Sequence, residues 1–496
     1  MSWLLALPIA LPFLTAVAAF LAPRGARWVS LAGNAGLLLA AAVLMRAVLI
    51  EGVVAGQMGG WPAPFGITLV ADALSAIMVV ITAITALAVC IYALADVGRE
   101  AEGLGYHALF NVLIAGVCGA FLTGDLFNLY VWFEVMLIAS FGLLTLGGRP
   151  EQIDGGVKYV TLNLVSTILF LTGIGLLYGM TGTLNLADLS VAAQTVDQGL
   201  LSVVGMTFLI AFGIKSAVFP LFFWLPASYH TPIFAVSAVF AGLLTKVGVY
   251  AIIRMFTLVF DHDPDLFRPI LLWVAILTMV TGVLGAAAQG DFRKVLSFHI
   301  ISQIGYMILG LALGTALALV GAVFYLVHHI IVKANLFLVA GVAGRLTGST
   351  DLYAIGGLYR FAPLLGLLFL IPAFSLAGFP PLSGFWAKYV LIAAALEIEA
   401  WIPAAAALVV GLLTIYSMTK IWAEAFWKAH PGGVEPRLGL LDRGTRLALL
   451  TPIAGLATLT MVIGLLPQPF VALAETAAAQ LMDPSAYVAA VLGATE

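Results

Sequence analysis

The feature that most constrains this chain is a series of long apolar runs, which fill almost the whole sequence with only short polar connections between them. Only 9% of the residues are charged and 63% are hydrophobic, whereas soluble globular domains are about 25% charged. Each run approaches the roughly 20 residues that a helix needs to cross the hydrocarbon core of a bilayer. Because lipid cannot satisfy exposed backbone groups, these runs must form helices there. The sequence therefore predicts an all-α polytopic membrane protein embedded in the lipid bilayer.

Fourteen runs qualify as transmembrane helices. They lie at residues 3–22, 28–50, 69–95, 106–123, 125–146, 156–179, 200–224, 232–257, 267–288, 294–314, 317–342, 363–394, 402–427 and 447–470. The twelfth span is too long for one simple helix. The tail after Gln468 is weakly amphipathic, and we expect it to lie at the membrane interface.

The positions of the basic residues give an independent test of this count. The odd-numbered connections hold Arg24, Arg27, Arg99, Arg149, Arg293, Lys294, Arg345, Arg360, Lys428, Arg437, Arg443 and Arg446. The even-numbered connections hold almost no basic residues. The exceptions are Arg46 and Arg254, which lie at helix ends, and Arg268. The positive-inside rule then puts the odd loops in the cytoplasm and both termini outside it. The net charge of -3 gives no indication of a nucleic-acid partner.

The two halves of the chain contain similar segments. "TGDLFNLYVWFEVMLIASFGLL" resembles "QGDFRKVLSFHIISQIGYMILG", "GGVKYVTLNLVSTILFL" resembles "GAVFYLVHHIIVKANLFL", and "MTGTLNL" resembles "LTGSTDL", each about 166 residues apart. Spans four to eight therefore repeat as spans nine to thirteen. Because five is odd, the two copies must face opposite ways, which is a transporter architecture. The predicted regions are residues 1–105, 106–258 (first repeat), 259–428 (second repeat) and 429–496.

Proline interrupts the fourth span of each repeat. Pro220 lies in the seventh span, and Pro380 and Pro381 lie in the twelfth. Proline removes a backbone donor and clashes with the preceding helical turn. We therefore predict that spans seven and twelve are broken helices of functional importance, the alternative being a kink without function.

Few charges remain once loops and helix ends are set aside. Glu134 is the one acid predicted near a span centre. The central basic side chains are Lys215, Lys246, Lys333 and Lys388, together with His299, His328 and His329. A charge at mid-bilayer costs about 2.5–3.5 kcal/mol, so these groups must face protein or water. Lysine loses its proton readily when desolvated, and histidine titrates near neutrality, so the set suits proton transfer.

Alternatives stay open for individual residues. Glu134 and Lys215 are predicted to pair, and such a pair could be purely structural. His329 and Lys333 are four residues apart and share a helix face, which favours His329 over His328 as a proton station. Asp72 and Asp125 near span ends are either helix N-caps or carboxylates at the mouth of an ion path, and the cap is favoured. Neither Cys90 nor Cys118 belongs to a metal motif, and no nucleotide or flavin motif occurs, so we predict no metal and no cofactor.

The run "FGIKSAVFPLFFWLPASYHTPIFAVSAVFAGLLTKVGVYAIIR" resembles the core signature of the antiporter-like subunits of respiratory complex I and the Mrp cation/proton antiporters. The resemblance covers nearly the whole chain. The motif "GDLFNLYVWFEVMLIASFGLL" and the chain length are most similar to the D-type branch of the Mrp antiporters. The resemblance implies fourteen helices with two inverted repeats, a bacterial inner-membrane location and other hydrophobic subunits as partners.

The resemblance also implies roles for particular residues. The proton-translocating positions of the family correspond here to Glu134 in the fifth span, Lys215 in the seventh, Lys246 in the eighth, His329 and Lys333 in the eleventh, and Lys388 in the twelfth. One departure is Gln303 in "ISQIGY", where complex I relatives commonly have a histidine. Glutamine cannot titrate, so His299, one turn earlier, is a possible substitute.

Two functions therefore compete, with a third less favoured. The first is an ion-translocating subunit of a multisubunit Na⁺/H⁺ antiporter, a secondary transporter rather than an enzyme. The second is a proton-pumping subunit of an NADH–quinone oxidoreductase or membrane-bound hydrogenase. The third is a non-conducting assembly scaffold that retains the fold.

Overall fold

The computed structural model describes residues 2–433 and 435–493, which form a bundle of membrane-spanning helices. Twelve helices in these ranges are long and apolar enough to cross a membrane, and the shorter helices at Tyr106–Leu122 and Pro363–Ala377 occupy the predicted fourth and twelfth spans. The fourteen predicted spans are thus all represented, which confirms the all-α polytopic fold.

The elements follow one another in a regular order. The helices are α1 (Ser2–Leu21), α2 (Ala26–Glu51), α3 (Ala73–Asp96), α4 (Arg99–Gly103), α5 (Tyr106–Leu122), α6 (Leu126–Thr145), α7 (Pro150–Thr181), α8 (Leu186–Ala192), α9 (Gln198–Ser216), α10 (Trp224–Ser228), α11 (Phe234–Val239), α12 (Thr245–Leu258), α13 (Pro264–Ala288), α14 (Phe292–Ala312), α15 (Ala316–Thr347), α16 (Leu358–Phe361), α17 (Pro363–Ala377), α18 (Ser383–Glu397), α19 (Trp401–Ile421), α20 (Arg443–Leu465), α21 (Gln468–Met482) and α22 (Ser485–Leu492). A π-helical segment, Phe240–Leu244, joins α11 to α12, and a second, Trp422–Trp427, extends α19.

A small hairpin precedes the third span. Strands β1 (Val54–Gln57) and β2 (Thr68–Ala71) pair antiparallel, and α3 begins only at Ala73. The prediction of a helix from residue 69 was therefore wrong for its first residues. A short apolar run carries no periodicity that separates strand from helix. The helix begins where the Asp72 carboxylate accepts a hydrogen bond from the Ser75 N–H at 2.8 Å.

The two repeats match residue by residue over their longest helix. Both α7 and α15 have 32 residues, and Pro150 and Thr181 at the ends of α7 lie 166 positions before Ala316 and Thr347 at the ends of α15. The preceding helices begin alike, since Asp125 caps α6 and Asp291 caps α14. Isolated backbone bridges complete the match, namely Asp125 with Asn185 and Asp291 with Asp351. The predicted repeat of spans four to eight in spans nine to thirteen is confirmed.

The fourth span of each repeat is broken, as predicted. Helix α9 stops at Ser216 and α17 stops at Ala377, and the residue that follows each helix has a left-handed backbone, with φ of 60° at Ala217 and 94° at Gly378. This conformation costs an alanine about 1–2 kcal/mol, so tertiary contacts must hold the first break. The spans predicted at 200–224 and 363–394 are thus each two segments, as the prolines predicted.

Protein groups satisfy the backbone of the first break. The Phe219 N–H donates to Thr278 Oγ1 of α13 at 2.9 Å, and Trp224 Nε1 donates to the Ile214 carbonyl at 3.0 Å. Pro220 lies between these two contacts. In the second break the hydrogen bond from Phe379 N–H to the Phe374 carbonyl repeats the one from Val218 N–H to the Gly213 carbonyl, which sets Pro220 opposite Pro381. Irregular backbone at membrane depth is tolerated where protein encloses it in this way.

The core is formed by the α11–α12 span, α14 and α15, which are buried almost throughout, whereas α1 and α2 are largely exposed at the periphery. Helix α21 also belongs to this bundle. Its alanines Ala474, Ala477 and Ala478 are buried, and Gln480 Oε1 accepts a hydrogen bond from the Ala73 N–H at 2.8 Å. Small side chains let α21 pack closely onto its neighbours.

Candidate functional site

The predicted central acid lies on an outward-facing stripe of α6. Glu134 is half-buried, and its neighbours on the same helix face, Val131 and Ile138, are exposed. Its carboxylate oxygen Oε1 accepts a hydrogen bond of 2.6 Å from the Thr167 hydroxyl of α7. A hydroxyl of the neighbouring helix α7 therefore holds the carboxylate. The other side of the carboxylate lies on the exposed face of α6.

Lys215 stands behind the same hydroxyl, in the last turn of α9. Its side chain is buried, and its ammonium Nζ donates to Thr167 Oγ1 at 3.5 Å and lies 5.6 Å from the centre of the Phe133 ring. No direct Glu134–Lys215 ion pair within 4.0 Å occurs among the ion pairs of the described residues. The predicted pairing is thus indirect, with Thr167 between the two groups.

A small cavity continues inward from Lys215. Its volume is about 20 Å³, and its polar lining comes from Lys215, Asn163, Tyr159 and Tyr229. The Tyr229 hydroxyl is buried and has no hydrogen-bond partner among the described residues. A cavity of roughly 10–15 Å³ accessible volume suffices for one water molecule. The cavity is thus large enough to hold one water molecule beside Lys215.

Lys246 occupies the centre of the bundle, just after the π-helical segment Phe240–Leu244. It is fully buried, and its Nζ donates to the Ala241 carbonyl within that segment. The wider turn of a π-segment leaves carbonyl groups free of the regular i→i+4 ladder and is frequent at functional sites. Local backbone geometry thus provides the acceptor that the buried ammonium needs.

The eleventh span brings its predicted pair into the same central region. His329 and Lys333 of α15 are fully buried, and Lys333 Nζ donates to the Leu296 carbonyl of α14 at 3.2 Å. Within residues 2–433 and 435–493, neither ring nitrogen of His329 or His299 has a hydrogen-bond partner. Buried polar atoms of this kind are costly unless water reaches them.

His328 faces the break of the twelfth span. Its Nδ1 lies 2.8 Å from the Ser383 hydroxyl at the start of α18, and that hydroxyl lies 3.0 Å from the Ser375 hydroxyl of α17. The two serines therefore join the segments on either side of Pro380 and Pro381. Sequence reasoning preferred His329 and missed both serines, since a serine near a helix break carries no distinctive pattern.

Lys388 lies on α18 and is the last, in chain order, of the residues called here the charged row, which are Glu134, Lys215, Lys246, His329, Lys333 and Lys388. It is buried, its Nζ donates to the Ala377 carbonyl at 3.0 Å, and it lies 5.1 Å from the centre of the Tyr306 ring. Tyr306 stacks on Tyr325, whose hydroxyl donates to Gln303 Oε1. Gln303 therefore serves as an acceptor in a tyrosine network beside the row.

A second acid–base pair lies apart from the row. Arg254 Nη2 contacts the Asp72 carboxylate at 2.6 Å, and both side chains are buried. The Arg254 guanidinium also lies between the rings of Tyr250 and Tyr487. The sequence placed Arg254 at a helix end and missed this pair. Asp72 and Asp125 both cap helices, through the N–H groups of Ser75 and Asn128.

Comparison with known proteins agrees with this architecture. The transmembrane family described as "NADH:quinone oxidoreductase/Mrp antiporter, TM" matches residues 123–414. The chain is 46% identical, over 99% of its length and 100% of the relative, to the D subunit of a Na⁺/H⁺ antiporter from Alkalihalophilus pseudofirmus. It is 40% identical, over 98% of both chains, to the protein of the same name from Bacillus subtilis.

Solved structures of the same fold come from an antiporter complex and from respiratory complexes. A chain of the Mrp complex from Dietzia sp. DQ12-45-1b superposes with a TM-score of 0.91 at 36% identity, covering 99% of this chain and 100% of that one. A chain of the membrane-bound sulfane sulfur reductase, an archaeal respiratory complex, has the same TM-score at 27% identity, covering 98% and 99%. This chain therefore belongs to the NADH:quinone oxidoreductase/Mrp antiporter transmembrane family, within the group of Mrp-type antiporter D subunits.

Proposed function

We propose that this chain is an ion-translocating subunit of a multisubunit Na⁺/H⁺ antiporter, in which protons move along the row from Glu134 to Lys388. The observation that carries the proposal is the row itself. One half-buried carboxylate is followed by four lysines that are buried or fully buried, on spans of both repeats. Ionisable residues inside a membrane are expensive and mark ion pathways or proton relays.

The names of the relatives support the assignment of the transported ions and of the partner subunits. The two bacterial relatives described above are named as subunits of Na⁺/H⁺ antiporters. We infer that Na⁺ and H⁺ are exchanged by a complex of several hydrophobic subunits in which this chain is a transporter component rather than an enzyme. The outward stripe of α6 supports this, because a carboxylate exposed to lipid at Glu134 would be unfavourable and needs a neighbouring subunit to cover it.

A second candidate is a proton-pumping subunit of a redox complex. The shared fold with the sulfane sulfur reductase and with respiratory complex I from Thermus thermophilus favours it. The identity to those chains is 27% and 26%, against 46% to an antiporter D subunit, so the antiporter remains the better assignment.

The orientation in the membrane is also a proposal. The basic residues of the odd-numbered connections place those loops in the cytoplasm and both termini outside it, in a bacterial inner membrane. Single cysteines introduced at Arg99 and Asp261 would distinguish the sides. A membrane-impermeant thiol reagent should label the second cysteine and not the first in intact cells, and the reverse pattern would contradict the orientation.

Everted membrane vesicles that contain the whole complex test the function. Added Na⁺ should collapse a respiration-driven ΔpH if the complex exchanges Na⁺ for H⁺. The second candidate would be assigned instead if two results were found together. The ΔpH would not respond to Na⁺, and the purified complex, returned to vesicles, would build a proton gradient by oxidising NADH or hydrogen.

A further inference from the structure

The hydroxyl of Thr167 in the first repeat lies at the position equivalent to Lys333, a member of the charged row, in the second repeat. Helices α7 and α15 match at both ends with a shift of 166 residues, which sets Thr167 opposite Lys333. Both side chains are buried. The register therefore predicts that the Thr167 position also takes part in the row, although threonine does not titrate.

The contacts of this hydroxyl differ from those of other threonines on spanning helices. In α7 itself, the hydroxyls of Thr161 and Thr172 donate to the carbonyls four residues earlier. Thr167 makes no such bond among the described residues. Its Oγ1 instead donates to Glu134 at 2.6 Å and accepts from Lys215 at 3.5 Å. The hydroxyl thus faces both charges and connects three helices, α6, α7 and α9.

A hydroxyl can donate one hydrogen bond and accept others at the same time. Resting on the function proposed above, we propose that Thr167 is the proton relay between Lys215 and Glu134. The Lys215 ammonium transfers a proton to Oγ1 as Oγ1 releases its own proton to Glu134 Oε1. One N–H bond and one O–H bond break, two O–H bonds form, and a neutral amine and a neutral carboxyl group result. Once Glu134 has released this proton and Lys215 has taken up another, rotation of the hydroxyl restores the starting hydrogen bonds.

The same hydroxyl also separates the two charges. Without it, the ammonium and the carboxylate would be free to close into a direct ion pair. Such a pair attracts strongly in a low-dielectric interior, and it would hold both groups in their charged states. Thr167 therefore gives the proton a path and keeps the charges from locking together.

A pair of substitutions separates relay from structure. Thr167→Val keeps the shape and removes the hydroxyl, whereas Thr167→Ser keeps the hydroxyl and removes a methyl group. In everted vesicles, the Na⁺-dependent collapse of ΔpH should slow by about tenfold or more in T167V and stay within about twofold of wild type in T167S. The Na⁺ concentration for half-maximal rate should not change in either variant. Thr460→Val is the control, because this buried threonine donates only to its own helix, at Leu456.

The outcomes decide the proposal. A wild-type rate in T167V, or a loss in T167S as large as in T167V, would overturn it. If T167V does not assemble, as judged by the amount of intact complex, Thr167→Ala also lacks the hydroxyl and decides in the same way. Glu134→Gln and Lys215→Met separate this proposal from the function it rests on. A wild-type rate in both variants means that the row itself is wrong, whereas loss in both with a normal T167V rate removes only Thr167 from it.

Discussion

Two acid–base arrangements in the described part of the chain, Asp72 with Arg254 and Glu134 with Lys215, differ in how they are closed. Asp72 and Arg254 touch at 2.6 Å, and the arginine is packed between two tyrosine rings. Glu134 and Lys215 face each other across the Thr167 hydroxyl. Arginine keeps its proton under all ordinary conditions, whereas buried lysine can release one. The comparison teaches that the closed pair suits a fixed structural role and the open one suits proton transfer.

The two repeats show a related difference. The first repeat holds the one carboxylate of the row on an outward face, with Lys215 before the helix break and Lys246 after it. The second repeat holds lysines and histidines inside the bundle, with Lys388 after the break. An acid at one end and bases at the other give the row a direction, so its two ends should respond differently to substitution.

The largest effect is expected where the open pair loses its base. Lys215→Met should reduce Na⁺-dependent proton movement in everted vesicles to the background level, because the buried proton carrier is removed. The complex should still assemble, since a methionine fills a similar volume without a charge. Asp154→Asn is a matched control, because Asp154 forms an exposed ion pair with Lys158. Normal transport by K215M would contradict the assignment of the open pair.

The next substitution makes the open arrangement resemble the closed one. Lys215→Arg keeps the positive charge but supplies a group that does not release its proton, so transport should fall by about tenfold or more. The reverse change, Arg254→Lys, should leave transport in the assembled complex close to wild type. The same vesicle assay measures both. If K215R transports normally, deprotonation of this side chain is not required.

Breaking the closed pair should affect stability instead. Asp72→Asn retains a good helix N-cap but leaves the buried Arg254 charge uncompensated, which costs about 3–5 kcal/mol. The midpoint of heat-induced aggregation of the detergent-solubilised complex should fall. Transport per assembled complex should stay near wild type. A variant with normal thermal stability and lost transport would instead place Asp72 in the ion path.

The smallest effect is expected at the break of the second repeat. Ser383→Ala removes the hydroxyl that contacts both His328 and Ser375, and the loss of these two buried hydrogen bonds should slow transport by about threefold. Ser417→Ala is the control, because the Ser417 hydroxyl bonds only within its own helix, to Leu413. Equal rates in the two variants would indicate that the bridge across the second break is only structural.

Much of this architecture was predictable from the sequence because the lipid bilayer imposes it on any chain that crosses the membrane. Apolar run length predicts the spans, and Pro220, Pro380 and Pro381 predict the breaks. The cost of a buried charge singles out Glu134 and Lys388. The strand at Thr68–Ala71 was not predictable, because a short apolar run has the same composition in a strand and in a helix.

Contacts between helices were the least predictable part. The Asp72–Arg254 pair depends on how α3 and α12 are rotated against each other, and sequence spacing does not specify that angle. Thr167 had a usable signal, since the repeat alignment sets it opposite Lys333. An uncharged threonine in an apolar span carries no distinctive sequence signal. The role proposed for Thr167 therefore depends on its contacts with Glu134 and Lys215 in the structure.

Glu134 offers the most direct measurement of the central claim, which is that protons move through the open pair. The rate of Na⁺-induced ΔpH collapse should be compared in everted vesicles that contain equal amounts of intact wild-type and Glu134→Gln complex. Glutamine keeps the shape and the acceptor for Thr167 but cannot take a proton. The account predicts a rate at the background level for E134Q. A wild-type rate would contradict it.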